Sequence, residues 1–184
     1  MDDGWVAGLA RTVRARPPIG RVRLVTIDGR SGSGKSVLAG RLAAVLDGAP
    51  VLHLDDMYPG WAGLAAVVPQ AVEQVARPLA GGSPARWRRW DWAAGAPGAW
   101  CETPPAPVVL LEGCGAGTAP LRAYASTAVW LDVPAGERLR RLRGRPDWPA
   151  YAPYHAMWAA QEDALYTADR TREHADVVLR GGPG

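Results

Sequence analysis

Phenylalanine is absent from this chain of 184 residues, lysine occurs once, and cysteine twice. Each shortage narrows what the chain can be. Two cysteines, Cys101 and Cys114, build neither a disulfide framework nor a cysteine-rich metal site, so a reducing cytoplasm is the expected compartment. No run approaches the roughly 20 apolar residues of a membrane span. The N-terminal stretch soon meets Arg11, Arg14 and Arg16 and has no apolar leader core, so no membrane association is expected. The net charge of +3 is also small. It suits an anionic small molecule and does not call for nucleic acid as a partner. What remains is a globular composition, 48% hydrophobic and 21% charged, long enough for a substantial core. Tryptophan carries much of the aromatic content: there are nine, with Trp87, Trp90, Trp92 and Trp100 in one short segment.

The single lysine is Lys35, against twenty arginines, and it stands inside Gly29-Arg30-Ser31-Gly32-Ser33-Gly34-Lys35-Ser36. That octapeptide fits G-x-x-x-x-G-K-[ST], the phosphate-binding P-loop, without a mismatch. The glycines let the backbone curl until its N–H groups converge on phosphate oxygens. Lys35 adds a compact charge at the β/γ-phosphates, and the Ser36 hydroxyl can ligate Mg²⁺. Gly29, Ser31, Gly32, Ser33, Gly34, Lys35, Ser36 and Val37 are therefore the candidate nucleotide-binding residues. The flanks agree: 21–28 reads as a strand entering the loop, and 36–46 as a helix leaving it with Leu38, Leu42, Val45 and Leu46 at helical spacing.

Elsewhere the pattern predicts a short helix over 4–14 and a buried strand over 51–54. A mostly helical stretch follows over 61–79, kinked or restarted at Pro69. Residues 81–107, rich in Gly, Pro and Trp, read as irregular or extended. Strands are expected at 108–112, 128–132 and 175–179, with an Arg-rich helix after Pro134 and a long helix over 154–173. Strands alternating with helices imply an α/β fold, a parallel β-sheet of about five strands with helices on both faces, whose ligands gather at the carboxyl ends of the strands. Residues 1–20 read as an N-terminal helical extension, and 21–184 as a single domain.

Three predicted strand ends carry acids: Asp28, then Asp55 with Asp56, then Glu112. A P-loop enzyme gathers its metal and its base in such places, with Ser36 and Glu112 as the metal candidates and Asp55 as the base. A solvated carboxylate or a helix cap is the plainer explanation of each. The helix 137–145 has two readings. One is a solvated basic face; the other is a lid whose arginines, Arg138 and Arg141 foremost, reach the phosphates. The segment 86–92 interleaves Arg with Trp. It reads as an acceptor pocket using Arg89, Trp90 and Asp91, as a packed surface loop, or as a single-strand nucleic-acid contact. His53, His155 and His174 are scattered and read as structural.

Together, Ile27 to Ser36, His53-Leu54-Asp55-Asp56-Met57-Tyr58 and the strand end Leu111-Glu112-Gly113 resemble the uridine kinase family of P-loop kinases. The resemblance covers most of residues 21–180 and implies a P-loop kinase-type sheet with an Arg-rich lid. It implies that Asp55 takes the proton of the acceptor hydroxyl and that Tyr58 contacts the acceptor. The family's Asp-His-Pro element is missing; Arg89-Trp90-Asp91-Trp92 occupies about that place without a histidine. The loop 27–29 is also similar to that of cytidylate kinases.

The expectation is then a kinase moving the γ-phosphoryl group of ATP, with Mg²⁺, to an alcohol group of a small molecule. Asp55, Lys35 and Arg141 are the catalytic candidates, and Asp55, Tyr58, Arg89, Trp90, Asp91 and Glu112 the acceptor-binding ones. A pyrimidine nucleoside leads. Another polyhydroxylated metabolite or antibiotic, a nucleoside monophosphate, and a nucleotide-binding regulatory module stay open, as does homo-oligomer formation.

Overall fold

The computed structural model describes residues 4–181; the outermost residues of the two expected segments, 1–3 and 182–184, lie outside it. Five strands form one parallel sheet: β1 (Arg23–Asp28), β2 (Val51–His53), β5 (Val108–Glu112), β6 (Ala125–Asp132) and β7 (Val177–Arg180), in the order β2-β5-β1-β6-β7. All five residues of β5 are buried, as are all of β1 but its first. Such uninterrupted apolar runs belong to a parallel sheet covered on both faces.

The alternation of strand side chains divides the core in two. Val108 and Leu110 join Val25, Ile27, Val129 and Leu131 on one face, beneath α1 (Gly4–Ala15) and α2 (Lys35–Val45). Val109 and Leu111 join Leu24 and Leu52 on the other. There they meet α3 (Leu64–Ala71), α4 (Arg77–Ala80), α5 (Ala119–Arg122) and α8 (His155–Asp169). From α1, Val6, Leu9, Ala10 and Val13 are buried at helical spacing, so this helix is part of the first core. Between β6 and α8 lie α6 (Ala135–Arg143) and α7 (Trp148–Tyr151).

Two segments sharpen the sequence expectation. The helical stretch 64–80 runs through Pro69 and widens to a π-turn over Val72–Ala76, where the Arg77 N–H bonds Val72 O. Proline has no N–H to give the preceding turn, so irregularity nearby is expected, though it lies beyond Pro69 rather than at it. Of the two forms expected for 81–107 the extended one is found: β3 (Ala85–Asp91) and β4 (Ala96–Thr103) pair as an antiparallel hairpin. Ala85 and Trp87 on β3 point inward to the second core, and Trp87 Nε1 donates to Thr103 Oγ1 at 3.2 Å. The tryptophans hid this period-two pattern by standing on both faces. Among the described residues, no helix is long and apolar enough to cross a membrane.

Candidate active site

The octapeptide leaves the carboxyl end of β1, in the middle of the sheet. Gly32 and Gly34 take φ of +81° and +94°, left-handed backbone that side chains avoid. At Gly32 a Cβ would stand 2.5 Å from Arg138 O, so the loop passes too close to α6 for any side chain. Gly34 opens α2, whose first-turn N–H groups have no helical carbonyl to bond and favour an anion.

Lys35 lies folded beneath the loop, its Nζ donating to Gly29 O at 2.8 Å and standing 3.4 Å from Cys114 Sγ. Burial works to lower its pKa, but the negative groups around it outweigh burial and raise it. Burial pushes the Cys114 thiol up to about 12, which leaves it neutral. The working charges are therefore Glu112, Asp55 and Glu162. Lys35 is a fixed cation.

Two buried carboxylates hold the loop from behind. Glu162 of α8 accepts from Ser31 N at 2.8 Å and from Ser31 Oγ at 2.7 Å. Asp28, fully buried, accepts from Gly29 N (2.6 Å), Gly117 N (2.8 Å), Gly115 N (3.1 Å) and Tyr166 Oη (2.6 Å). Burial raises Asp28 to about 6, against the lowering effect of the Tyr166 bond. Asp28 thus ties the P-loop to the loop after β5 and does not reach the cleft.

A cleft of about 990 Å³ opens in front of the loop. Ser31, Gly32, Gly34, Lys35, Ser36 and Val37 line one end, and Asp55, Tyr58, Glu112 and Arg141 continue it. Gly29 and Ser33 shape the loop from within, and Ser33 Oγ is buried without a hydrogen-bond partner. Ser36 Oγ donates to Glu112 Oε1 at 2.9 Å, and His53 Nδ1 lies 2.5 Å from the same oxygen. That bond to Glu112 raises the His53 pKa. A hydroxyl beside a carboxylate, at the P-loop, is the oxygen donor set that Mg²⁺ takes alongside phosphate oxygens and water. Among the described residues no cluster of three or more His, Cys, Asp or Glu could hold a metal unaided.

Asp55 sits in the single turn Leu54–Asp56 that follows β2. It opens onto the cleft, and the protein mass around it and then the Glu112 charge raise its pKa. Asp56 turns to Arg89, at 3.2 Å. Tyr58 is buried and donates to Cys114 O at 3.0 Å.

The Arg-rich helix lies down on the loop. Arg141 bonds Glu137 at 2.7 Å, Ser33 O at 3.3 Å and Gly181 O at 3.1 Å while lining the cleft. Arg138 does not line it: bonds to Val133 O and Ser31 O turn it to a separate cavity of about 470 Å³. Arg145, just past the helix and paired with Asp147 at 2.5 Å, lines the cleft instead.

The expected acceptor trio is also placed elsewhere. Arg89 pairs outward with Asp56, Asp91 caps the hairpin turn by accepting from Ala93 N and Ala94 N, and Trp90 does not line the cleft. Arg89 and Asp91 find their partners outside the cleft, and the β3–β4 ladder shifts register between Arg88 and Trp90, so strand alternation does not carry through these residues. Trp92, one residue on, does line it. So do Trp61, Tyr151, Tyr154 and Trp158, none singled out from the sequence. The one usable signal was the spacing of Tyr151, Tyr154 and Trp158, three and four residues apart, although the structure divides them among α7, the 3₁₀ turn Ala152–Tyr154 and α8.

No family model matches the chain, and no curated protein matches it in sequence. Solved structures do. A possible uridine kinase from Bacillus stearothermophilus has a TM-score of 0.70 at 21% identity, over 95% of this chain and 96% of that one. A protein from a Silicibacter species, provisionally named a fructose transport system kinase, has a TM-score of 0.64 at 23% identity, over 95% of this chain and 98% of its own. The α/β architecture with its five-stranded parallel sheet is the fold of P-loop kinases.

Proposed function

We propose that this chain is an ATP-dependent kinase that moves the γ-phosphoryl group to a hydroxyl of a small molecule, with a nucleoside as the leading acceptor. The observation that carries the reading is Asp55 facing the P-loop across one cleft. Glu112, bonded to Ser36 at the P-loop, is the carboxylate placed to serve a metal with the phosphates, which leaves Asp55 for the acceptor. Asp55 is of use to an alcohol, which must lose a proton as it attacks. An acceptor that is already a phosphate needs no such base, which sets the nucleoside monophosphate reading behind.

In this reading the acceptor oxygen forms its bond to the γ-phosphorus, its proton passes to Asp55, and the bond to the ADP oxygen breaks. Lys35, Arg141 and Arg145 supply positive charge around the transferring group. Ser36 and Glu112 would hold Mg²⁺, which neutralises charge on the phosphates when bound. Burial and Glu112 raise the Asp55 pKa, making it a stronger base than an exposed aspartate.

The test is ADP release measured over nucleosides, nucleoside monophosphates, sugars and aminoglycosides. Release that depends on an alcohol acceptor supports the kinase. Slow release that no acceptor changes would leave a nucleotide-binding regulatory module in its place.

A further inference from the structure

The far end of the cleft is walled by aromatic rings that hold one another in place. Trp61 stacks on Tyr154, with centroids 4.4 Å apart and planes 8° from parallel, and leans against Trp92 at 4.7 Å and 50°. Buried Trp158 meets Trp61 edge-on at 6.4 Å. Trp61 is thus spent as support, whereas Trp92 and Tyr154 stay 40% and 39% exposed while lining the cleft. Paired, open aromatic faces inside a cleft are a binding surface waiting for cover.

Polar contacts fix this platform relative to the chemistry. Gln161 Nε2 donates to Trp61 O at 2.8 Å. Trp92 Nε1 donates to Asp55 O at 3.0 Å, which sets the platform beside the residue proposed as base. A ring lying on Trp92 therefore has only a short reach to Asp55.

Similar contacts occupy much of the hydrogen-bonding capacity beside the rings. Tyr58 Oη is committed to Cys114 O, Trp92 Nε1 to Asp55 O, and Arg145 to Asp147. Among the described residues that line the cleft there is no Asn, Gln or His to read the edge of a ring. Tyr151 Oη is buried, which raises its pKa, and is turned toward Ser31 of the P-loop, whose hydrogen bond works against that rise.

We infer that the site selects an acceptor by a flat ring held close to the reacting hydroxyl, and recognises that ring by stacking rather than by its edge. Pyrimidine and purine nucleosides are then taken alike, and sugars without a ring system to stack are refused. The physical basis is that every base has a π-face, so stacking tolerates any of them, whereas edge reading depends on buried polar partners. The inference rests on the kinase reading for its hydroxyl chemistry but not for its binding preference.

The test is calorimetric titration of the full chain, with Mg²⁺ and a non-hydrolysable ATP analogue, using uridine, adenosine, ribose and fructose. Uridine and adenosine should bind within about ten-fold of each other, and both sugars about a hundred-fold more weakly. Trp92→Ala should weaken both nucleosides equally, by about ten-fold, and Trp92→Phe should restore most of it. If Trp92→Ala melts early, Tyr154→Ala carries the same expectation. A sugar binding as tightly as uridine, a hundred-fold or so preference for one nucleoside, loss of only one of them in Trp92→Ala, or no nucleoside binding at all would each overturn the inference. ADP release separates the two readings. Nucleosides that bind without being phosphorylated leave this inference standing and remove the kinase. Phosphorylation of fructose but not of nucleosides does the reverse.

Discussion

The two ends of the cleft are made in opposite ways. The phosphate end is local in sequence: residues 29–37 supply the cradle, the lysine and the Ser36 hydroxyl, and buried Asp28 and Glu162 only brace it. The acceptor end is gathered from afar. Trp61 precedes α3, Trp92 sits at the turn of the β3–β4 hairpin, and Tyr151, Tyr154 and Trp158 come from the α7–α8 region. On the proposed reading the phosphate end works through backbone and fixed charge, and the acceptor end through ring faces. The contrast is the one the proposed ligands would call for. A triphosphate is the same in every kinase and rewards one preorganised backbone. An acceptor is recognised by shape, which distant side chains can supply in many combinations.

Substitutions can break or sharpen that contrast. Lys35→Ala should have the largest effect, reducing turnover by a factor of about a thousand or more, because Lys35 is the buried cation folded beneath the loop. Turnover measured beside a thermal melt checks it; near-normal rates in a folded variant would remove the P-loop as the reacting end. Asp55→Asn should follow, keeping ATP affinity while kcat falls roughly 10²–10⁴-fold. Asp56→Asn should do much less, since Asp56 faces outward to Arg89. A dead Asp56→Asn beside an active Asp55→Asn would move the base by one residue.

A smaller effect is expected at the brace. The folded pKa of Asp28, about 6, lies above its ordinary 3.8. Between those values the folded chain keeps a proton that the unfolded chain releases. Stability from this group is therefore present at low pH and lost as pH rises through about 6. The melting temperature of the wild type, taken relative to Asp28→Asn, should fall as pH rises from about 4 to 7 and then level off. A constant difference across that range would mean that Asp28 titrates normally. Arg89→Ala should change least. Its ion pair with Asp56 is solvent-exposed, and such pairs contribute about 1 kcal/mol or less. Acceptor KM should barely move; a ten-fold rise or more would return Arg89 to the acceptor wall.

Sequence alone determined what is local and periodic. The octapeptide announces its own backbone, because only glycines suit the left-handed turns at Gly32 and Gly34. The buried runs of β1 and β5 announce a parallel sheet, because strands covered on both faces have no polar side to show. Asp55 and Glu112 stood out as acids at strand ends, Asp55 just past β2 and Glu112 closing β5. Tertiary structure decided everything that depends on which way a side chain turns. Arg89 turns outward to Asp56, and Trp92 at the turn reaches the cleft. The seating of α6 turns Arg138 away from the cleft while Arg141 and Arg145 line it. The stack of Tyr154, Trp61 and Trp92 joins residues that are neighbours only after the hairpin and α8 have packed on the same face of the sheet. Such contacts form between segments far apart in the chain, so no local pattern encodes them.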